Sequence, residues 1–212
     1  MHWVVIPFRG PGSAKSRLAE GLSDTARRQV ARAMFQHVLN VSCRVAGPKR
    51  VLVVTPSVTA SRIAKRVGAC VLRQVGAGHN EAVTQACAYL RKQGALTATI
   101  LAADLPLLET SNVVAMIKGA RQGNVTIAPD LAGEGTNALA LPLTLPFTFH
   151  FGEGSYRRHR LQSRDRLALM RSVRQPGLAS DVDVVDDLAL LDDPAALSTL
   201  PSVSANSYRG LR

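Results

Sequence analysis

Cysteine is scarce in this chain. Cys43, Cys70 and Cys87 are odd in number and no two stand at CxxC spacing, which argues against a disulfide framework and a cysteine-rich zinc site. Each reads as a small buried apolar side chain. No apolar run approaches the roughly 18–20 residues that a membrane-spanning helix needs. Met1–Phe8 lacks the basic region, apolar stretch and cleavage site of a signal peptide, and reads as a strand of the fold, so a cytoplasmic protein is expected. GxSxG and HExxH are absent, as is any convincing Cys–His or Ser–His–Asp set, and the histidines His2, His37, His79, His150 and His159 are scattered. Acidic residues are few, at 15 against 26 Lys+Arg, leaving a net charge of +11.

What is present points to an α/β protein that handles anions. Apolar residues make up 46% of the 212, enough for a sizeable core, and charged residues 19%, which excludes wholesale disorder. The positive balance asks for polyanions: nucleic acid, an anionic membrane face, or small phosphorylated and carboxylated substrates. Arg outnumbers Lys 21 to 5, and the guanidinium is suited to two-pronged contact with phosphate and carboxylate. Seven arginines lie between Arg157 and Arg174, while Asp181, Asp183, Asp186, Asp187, Asp192 and Asp193 crowd the last fifth.

Strand and helix patterns alternate. Strands are expected at His2–Phe8, Arg50–Thr55, Cys70–Arg73, Thr97–Ala103, Asn124–Pro129 and Thr136–Pro142. Between them come a helix capped by Ser23 or Asp24 and carrying Val30, Met34, Val38, Val41 and Val45, then helices over Ser57–Val67 and Asn80–Gln93, and one starting at Thr110 or Ser111. A basic helix is expected over Ser155–Val173 and a short one around Asp186–Leu191. Near-continuous apolar strands alternating with helices indicate one wound, mostly parallel sheet covered on both faces. Residues 1–200 are expected to form a single domain and the Ser-rich stretch 201–212 a flexible tail.

Four groups could do chemistry. Arg9–Arg17 (RGPGSAKSR) follows the first strand and puts Arg9, Lys15 and Arg17 within nine residues, at the strand end where open parallel sheets bind ligands. It is not a P-loop, because Arg9 and Ala14 stand where that motif has glycine, and the dinucleotide fingerprint lacks its third glycine. Asp104 ends an apolar strand and precedes Leu105-Pro106-Leu107-Leu108; beside phosphates, a carboxylate there suits Mg2+, and the plainer reading is a turn or helix cap. Asp181 and Asp183 share a face in an extended segment and would repel each other without a cation nearby, whereas Asp186 and Asp187 fit the first turn of a helix. Finally Gly135-Thr136-Asn137 and Phe151-Gly152-Glu153-Gly154-Ser155 offer amides and hydroxyls ahead of the basic helix, or simply two turns and a cap. Cations, carboxylates and no activated nucleophile fit nucleotidyl transfer, where positioning and charge suffice and a phosphorylated acceptor needs no general base.

Taken in order, these segments resemble the 2-phospho-L-lactate guanylyltransferase family of coenzyme F420 biosynthesis. The matching pieces are IPFRGPGSAKSRL from Ile6, GHN at Gly78–Asn80, ADLPLL at Ala103–Leu108 and PD at Pro129–Asp130. They continue with GTNAL at Gly135–Leu139, FGEGSYRRH at Phe151–His159 and DVDVVDDL at Asp181–Leu188. The resemblance implies a nucleotide-diphospho-sugar-transferase-like, Rossmann-like domain that moves GMP from GTP to phosphoenolpyruvate, 3-phospho-D-glycerate or 2-phospho-L-lactate and releases pyrophosphate. It implies Lys15, Arg17 and Asp104 as catalytic, and Asp104, Asp181 and Asp183 around Mg2+. Thr136, Gly152 and Ser155 would hold the acceptor, and Pro7, Arg9, Gly78 and Asn80 would line the nucleotide site. A cytoplasmic homodimer without membrane or nucleic-acid partners is the corresponding expectation. Four positions depart from the family pattern: His79 where Leu is common, Arg9 where Lys is usual, and Val184-Val185 for Thr-Pro.

Two other readings use the same residues. A nucleotidyltransferase acting on a sugar phosphate or a molybdenum cofactor would share fold and aspartates. A nucleic-acid-binding module would use the Arg157–Arg174 segment, but only Tyr156 interleaves the arginines and no helix-turn-helix, zinc-finger or RRM signature accompanies them.

Overall fold

The computed structural model describes residues 1–11, 23–165 and 168–182. Lys15, Arg17, Asp183, the expected helix around Asp186–Leu191 and the stretch 201–212 lie outside the described residues. Seven strands form one sheet: β1 (His2–Pro7), β2 (Val51–Thr55), β3 (Cys70–Arg73), β4 (Thr97–Leu101), β5 (Val125–Pro129), β6 (Thr136–Pro142) and β7 (Met170–Ser172). The helices are α1 (Asp24–Ala46), α2 (Val58–Arg66), α3 (His79–Lys92), α4 (Thr110–Arg121), α5 (Ser155–Asp165) and α6 (Pro176–Ala179). Among the described residues no helix is long and apolar enough to cross a membrane.

Strand order is β3-β2-β1-β4-β6-β5-β7. β1 pairs in parallel with β2 and β4, and β2 with β3, whereas β6 runs antiparallel to both β4 and β5. Apolar strand residues alternate between two cores, as the period of two requires. Val4 and Ile6 of β1 join Phe35, Val38 and Leu39 of α1 and Met116 of α4 on one face. Trp3 and Val5 meet Val83, Cys87 and Leu90 of α3 on the other. Each such fully buried side chain contributes roughly 1.5–3 kcal/mol. Ser23 caps α1, its hydroxyl accepting from the Ala26 amide at 3.3 Å. α4 lies close on β5 because residue 119 is glycine: a Cβ there would stand 2.0 Å from Thr126 Oγ1.

The expected helix over Ser155–Val173 is corrected. α5 ends at Asp165, and the chain returns as β7 beside β5, with Val125 opposite Met170. Val125 N–H donates to Leu169 O at 2.9 Å and Val173 N–H to Ile127 O at 2.8 Å, so the outer edge of β5 is paired. Satisfying a strand edge outweighs the helix preference of the intervening arginines.

His2 is buried on β1, its ring nitrogens 2.7 Å from Thr97 Oγ1 and 3.0 Å from Thr99 Oγ1 of β4. Burial, with Arg121 and the N-terminal amine adding, pushes its pKa down to about 4. The unfolded chain takes this proton below about 6.5 and the folded chain only near 4. His2 therefore withholds nothing from stability above pH 6.5, and stability falls as pH drops through that window. At about 1.4 kcal/mol per unit the loss is on the order of 2–3 kcal/mol by pH 4. Thermal unfolding between pH 7 and 4 is expected to show a Tm decline that is shallower in His2→Gln; equal slopes would rule out this source.

Candidate active site

Strand order reverses between β1 and β4. The chain builds outward from β1 to β2 and β3, then returns to lay β4 on the other side of β1. The crevice at the carboxyl ends of two such strands is where open α/β sheets bind ligands. A cavity of about 190 Å³ lies there, lined by Pro7, Phe8, Arg9 and Gly10 after β1, Ala102, Ala103 and Asp104 after β4, Ala31 and Met34 of α1, and His79 of α3. Phe8 is fixed by stacking on Phe35 at 4.3 Å and by its amide donating to Val54 O at 2.9 Å. The Asp104–Leu108 loop is held from below: the His37 ring bonds to Leu108 O at 2.8 Å, and Leu105 and Leu108 are buried.

Asp104 and Asp181, 77 positions apart in sequence, are brought together by main chain. Val182 N–H donates to Asp104 O at 3.3 Å, with the Val182 side chain buried. The segment before it is pinned by Leu178 in the core and by Asn112 Nδ2 donating to Gln175 Oε1 at 2.9 Å. Asn137 of β6 completes the junction, its Nδ2 donating to Ala179 O at 3.2 Å and Asp181 Oδ1 at 3.0 Å. The sequence motifs do not single out Asn137 as a site residue; its place between Thr136 and the strand body is the available signal.

The antiparallel run of β6 carries its first residues to the carboxyl end of β4, where Ala102 N–H donates to Asn137 O at 2.8 Å. Thr136 thus arrives beside the Asp104 loop. Its Oγ1 is 3.0 Å from Ser155 Oγ and 3.2 Å from His159 Nδ1. Ser155 opens α5, after a turn in which Gly152 adopts φ +115, a conformation that side chains rarely accept, and Gly154 precedes the helix. Asp130 shapes the approach to β6, its carboxylate accepting from the Glu134 and Gly135 amides at 2.9 and 2.8 Å. In the sequence His159 reads as a lone histidine; its i,i+4 spacing from Ser155 on one helix face is the signal of its role.

The remaining expected residues sit around this frame. Gly78 caps α3, and its amide and that of Ala77 donate to Glu81 Oε2 at 3.1 and 2.9 Å. Asn80 faces the Phe151 backbone with both ends of its amide, donating to Phe151 O at 3.1 Å and accepting from Phe151 N–H at 2.7 Å. It therefore clips the Phe151–Ser155 turn to α3, one residue from the cavity wall. The His79 ring packs edge-on to Phe151 at 5.0 Å. Desolvation of that ring lowers its pKa, with Asp104 opposing and Arg9 reinforcing the shift, so both charges reach it. Arg157, Arg160 and Arg164 line a separate groove of about 470 Å³ with Leu161 and Ala168–Met170. Among the described residues no group of three or more His, Cys, Asp or Glu gathers as a ready-made metal cage.

A switch-point crevice lined by Arg9 and Asp104, with the Asp181 segment bonded to the Asp104 loop, on this strand order, is that of a nucleotidyltransferase-like α/β protein. A crystal structure from Desulfovibrio desulfuricans G20, assigned to the nucleotide-diphospho-sugar transferases, has the same fold: TM-score 0.77 at 15% identity, over 95% of this chain and 93% of that one. The family described as Guanylyl transferase CofC like matches residues 2–192. The phosphoenolpyruvate guanylyltransferase of Rubrobacter xylanophilus is 36% identical over 202 residues, spanning 94% of this chain and 97% of its own. That of Sphaerobacter thermophilus is 34% identical over 185 residues, 87% of this chain and 89% of its own. The chain belongs to the CofC-like guanylyl transferase family and is a guanylyltransferase.

Proposed function

We propose that this guanylyltransferase transfers GMP from GTP to phosphoenolpyruvate, releasing pyrophosphate, as a cytoplasmic, Mg2+-dependent enzyme of coenzyme F420 biosynthesis. The acceptor follows the names of the curated relatives at 34–36% identity. The observation that carries the reading is the main-chain bond from Val182 to Asp104, which brings together the two segments that bear the Asp104 and Asp181 carboxylates at the carboxyl end of β4.

Those carboxylates fit a hard divalent cation, which takes oxygen ligands and completes its shell with phosphate oxygens and water. Asp104 and Asp181 would hold Mg2+, with Asp183 in support; when bound, the ion neutralises phosphate charge and orients the triphosphate. Pro7, Arg9 and Gly78 surround the nucleotide, and Lys15 and Arg17 reach its phosphates. Thr136, Gly152 and Ser155 hold the phosphorylated acid. An oxygen of the acid's own phosphate attacks the α-phosphorus of GTP, a new P–O–P bond forms, and the α–β bond breaks with its electron pair leaving on pyrophosphate. That oxygen is already ionised, so no side chain has to remove a proton.

Purified protein given GTP and Mg2+ is expected to release pyrophosphate only when a three-carbon phosphorylated acid is added, and fastest with phosphoenolpyruvate when it is compared with 3-phospho-D-glycerate and 2-phospho-L-lactate. Pyrophosphate release at equal rates without any acid, or with a sugar phosphate in its place, would overturn the assignment.

A further inference from the structure

His159 is fully buried in α5, and its two ring nitrogens have different surroundings. Nε2 lies 2.9 Å from the backbone N–H of His150, a group that can only donate, so Nε2 must be the bare nitrogen. The proton of the neutral ring is therefore on Nδ1, which lies 3.2 Å from Thr136 Oγ1 and donates to it. Burial, with His150 and Arg158 adding, pushes the ring's pKa down to about 3, so it stays neutral at any working pH. The ring is held in place by its neighbours: Phe151 meets it edge-on at 5.1 Å, Phe147 lies at 5.6 Å, and Ser163 Oγ donates to His159 O at 2.9 Å.

The consequence for Thr136 and Ser155 is a matter of counting protons. The two hydroxyls carry two protons, and one is used in the 3.0 Å bond between them, whichever way that bond runs. Neither makes another hydrogen bond among the described residues apart from that with His159. If Nδ1 were an acceptor it would take the second proton, and the pair would have none to offer. Because Nδ1 is a donor, the second proton is left for an outside acceptor.

We propose that His159 is a positioning residue which, by holding its Nδ1–H tautomer against Thr136, makes the Thr136–Ser155 pair a donor to the anionic oxygen of the acceptor acid. This rests on the reading of that pair as the acceptor subsite. The ligand chemistry follows: an acceptor-only group such as phosphate or carboxylate is favoured at this point over a hydroxyl that must itself donate.

The test uses the full-length protein, with phosphoenolpyruvate as titrant and substrate. His159→Leu removes the donor, whereas His159→Asn returns an amide N–H near the Nδ1 position. The Leu variant keeps the second hydroxyl proton but no longer fixes where it points, so it is expected to weaken phosphoenolpyruvate binding about 3- to 10-fold, as Kd and as KM, leaving the KM for GTP within about 2-fold. These are the magnitudes of a hydrogen bond between neutral groups, here the lost bond from Nδ1–H to Thr136 Oγ1. The Asn variant is expected to recover most of the loss, and His159→Leu to add nothing in a Thr136→Val background. Asn no better than Leu at equal Tm would overturn the proposal while leaving guanylyl transfer intact. Should the Leu variant not fold, the wild-type two-bond 1H–15N spectrum decides by itself: a protonated Nδ1 and bare Nε2 on His159 support the proposal, and the reverse tautomer ends it. A wild-type enzyme idle with every acid would bring down the acceptor-site reading instead.

Discussion

Asp104→Asn is expected to lower guanylyl transfer by about 100-fold or more at saturating substrates, the scale set by removing one group that stabilises transition-state charge. The substitution keeps the shape and hydrogen-bonding reach of the side chain and deletes only its charge. Asp104 belongs to the loop after β4, whose Leu105 and Leu108 are buried and whose end is bound by His37, so the fold has little reason to respond. What changes is the field at the crevice. On the proposed function GTP and the acid would bring several negative charges to one place, and the Asp104 and Asp181 carboxylates would retain a divalent cation there. Asp181→Asn is expected to act in the same direction, since Val182 N–H ties its segment to Asp104 O. Steady-state turnover with Tm as a control decides the matter: near-normal turnover in folded Asp104→Asn would remove the carboxylates from the mechanism.

Thr136→Val should act on the acceptor rather than on GTP. Valine fills the threonine volume, but it strands the Ser155 hydroxyl and the His159 Nδ1–H in a buried setting and, on the proposed function, would remove a donor from the acid. A hydrogen bond to a charged group contributes about 1.5–3 kcal/mol, so the KM for the acid is expected to rise roughly 10- to 100-fold. The KM for GTP should hold, because the crevice proposed for the nucleotide is lined by Pro7–Gly10 and Ala102–Asp104 and does not include Thr136. Initial rates with each substrate varied in turn separate the two. A parallel rise in both constants, or none in either, would show that the hydroxyl pair does not serve the acceptor. Stability is also expected to fall by about 1–3 kcal/mol from the unsatisfied buried donor.

The boundaries of most elements were legible from local pattern. Val30, Met34 and Val38 recur at helical spacing in α1, and Ser23 caps it; the β1, β2 and β4 strands are short apolar runs with breakers at each end. Where the pattern misled, the deciding interaction was remote. Nothing between Arg164 and Val173 tells a helix from an edge strand, because arginine is at home in either and the open edge of β5 that captures β7 lies some 45 positions earlier. The reversed direction of β6 was equally hidden, since alternation of strands and helices speaks only for the parallel part.

For the site, the sequence by itself determined which chemistry was on hand: cations after the first strand, carboxylates at Asp104 and Asp181, hydroxyls at Thr136 and Ser155, and no nucleophile poised to react. Residue type is a local property, so composition and motif order suffice for that much. Tertiary structure alone decided which of these groups meet. The return of β4 alongside β1 opens the crevice, and the antiparallel entry of β6 delivers Thr136 to the carboxyl end of β4. The roles of Asn137, which joins Asp181 to the sheet, and of His159, whose proton position is set by a main-chain amide nine residues earlier, depend on hydrogen bonds of a few ångströms between segments far apart in the chain. Such bonds follow from the packing of the whole sheet, which no window of sequence contains.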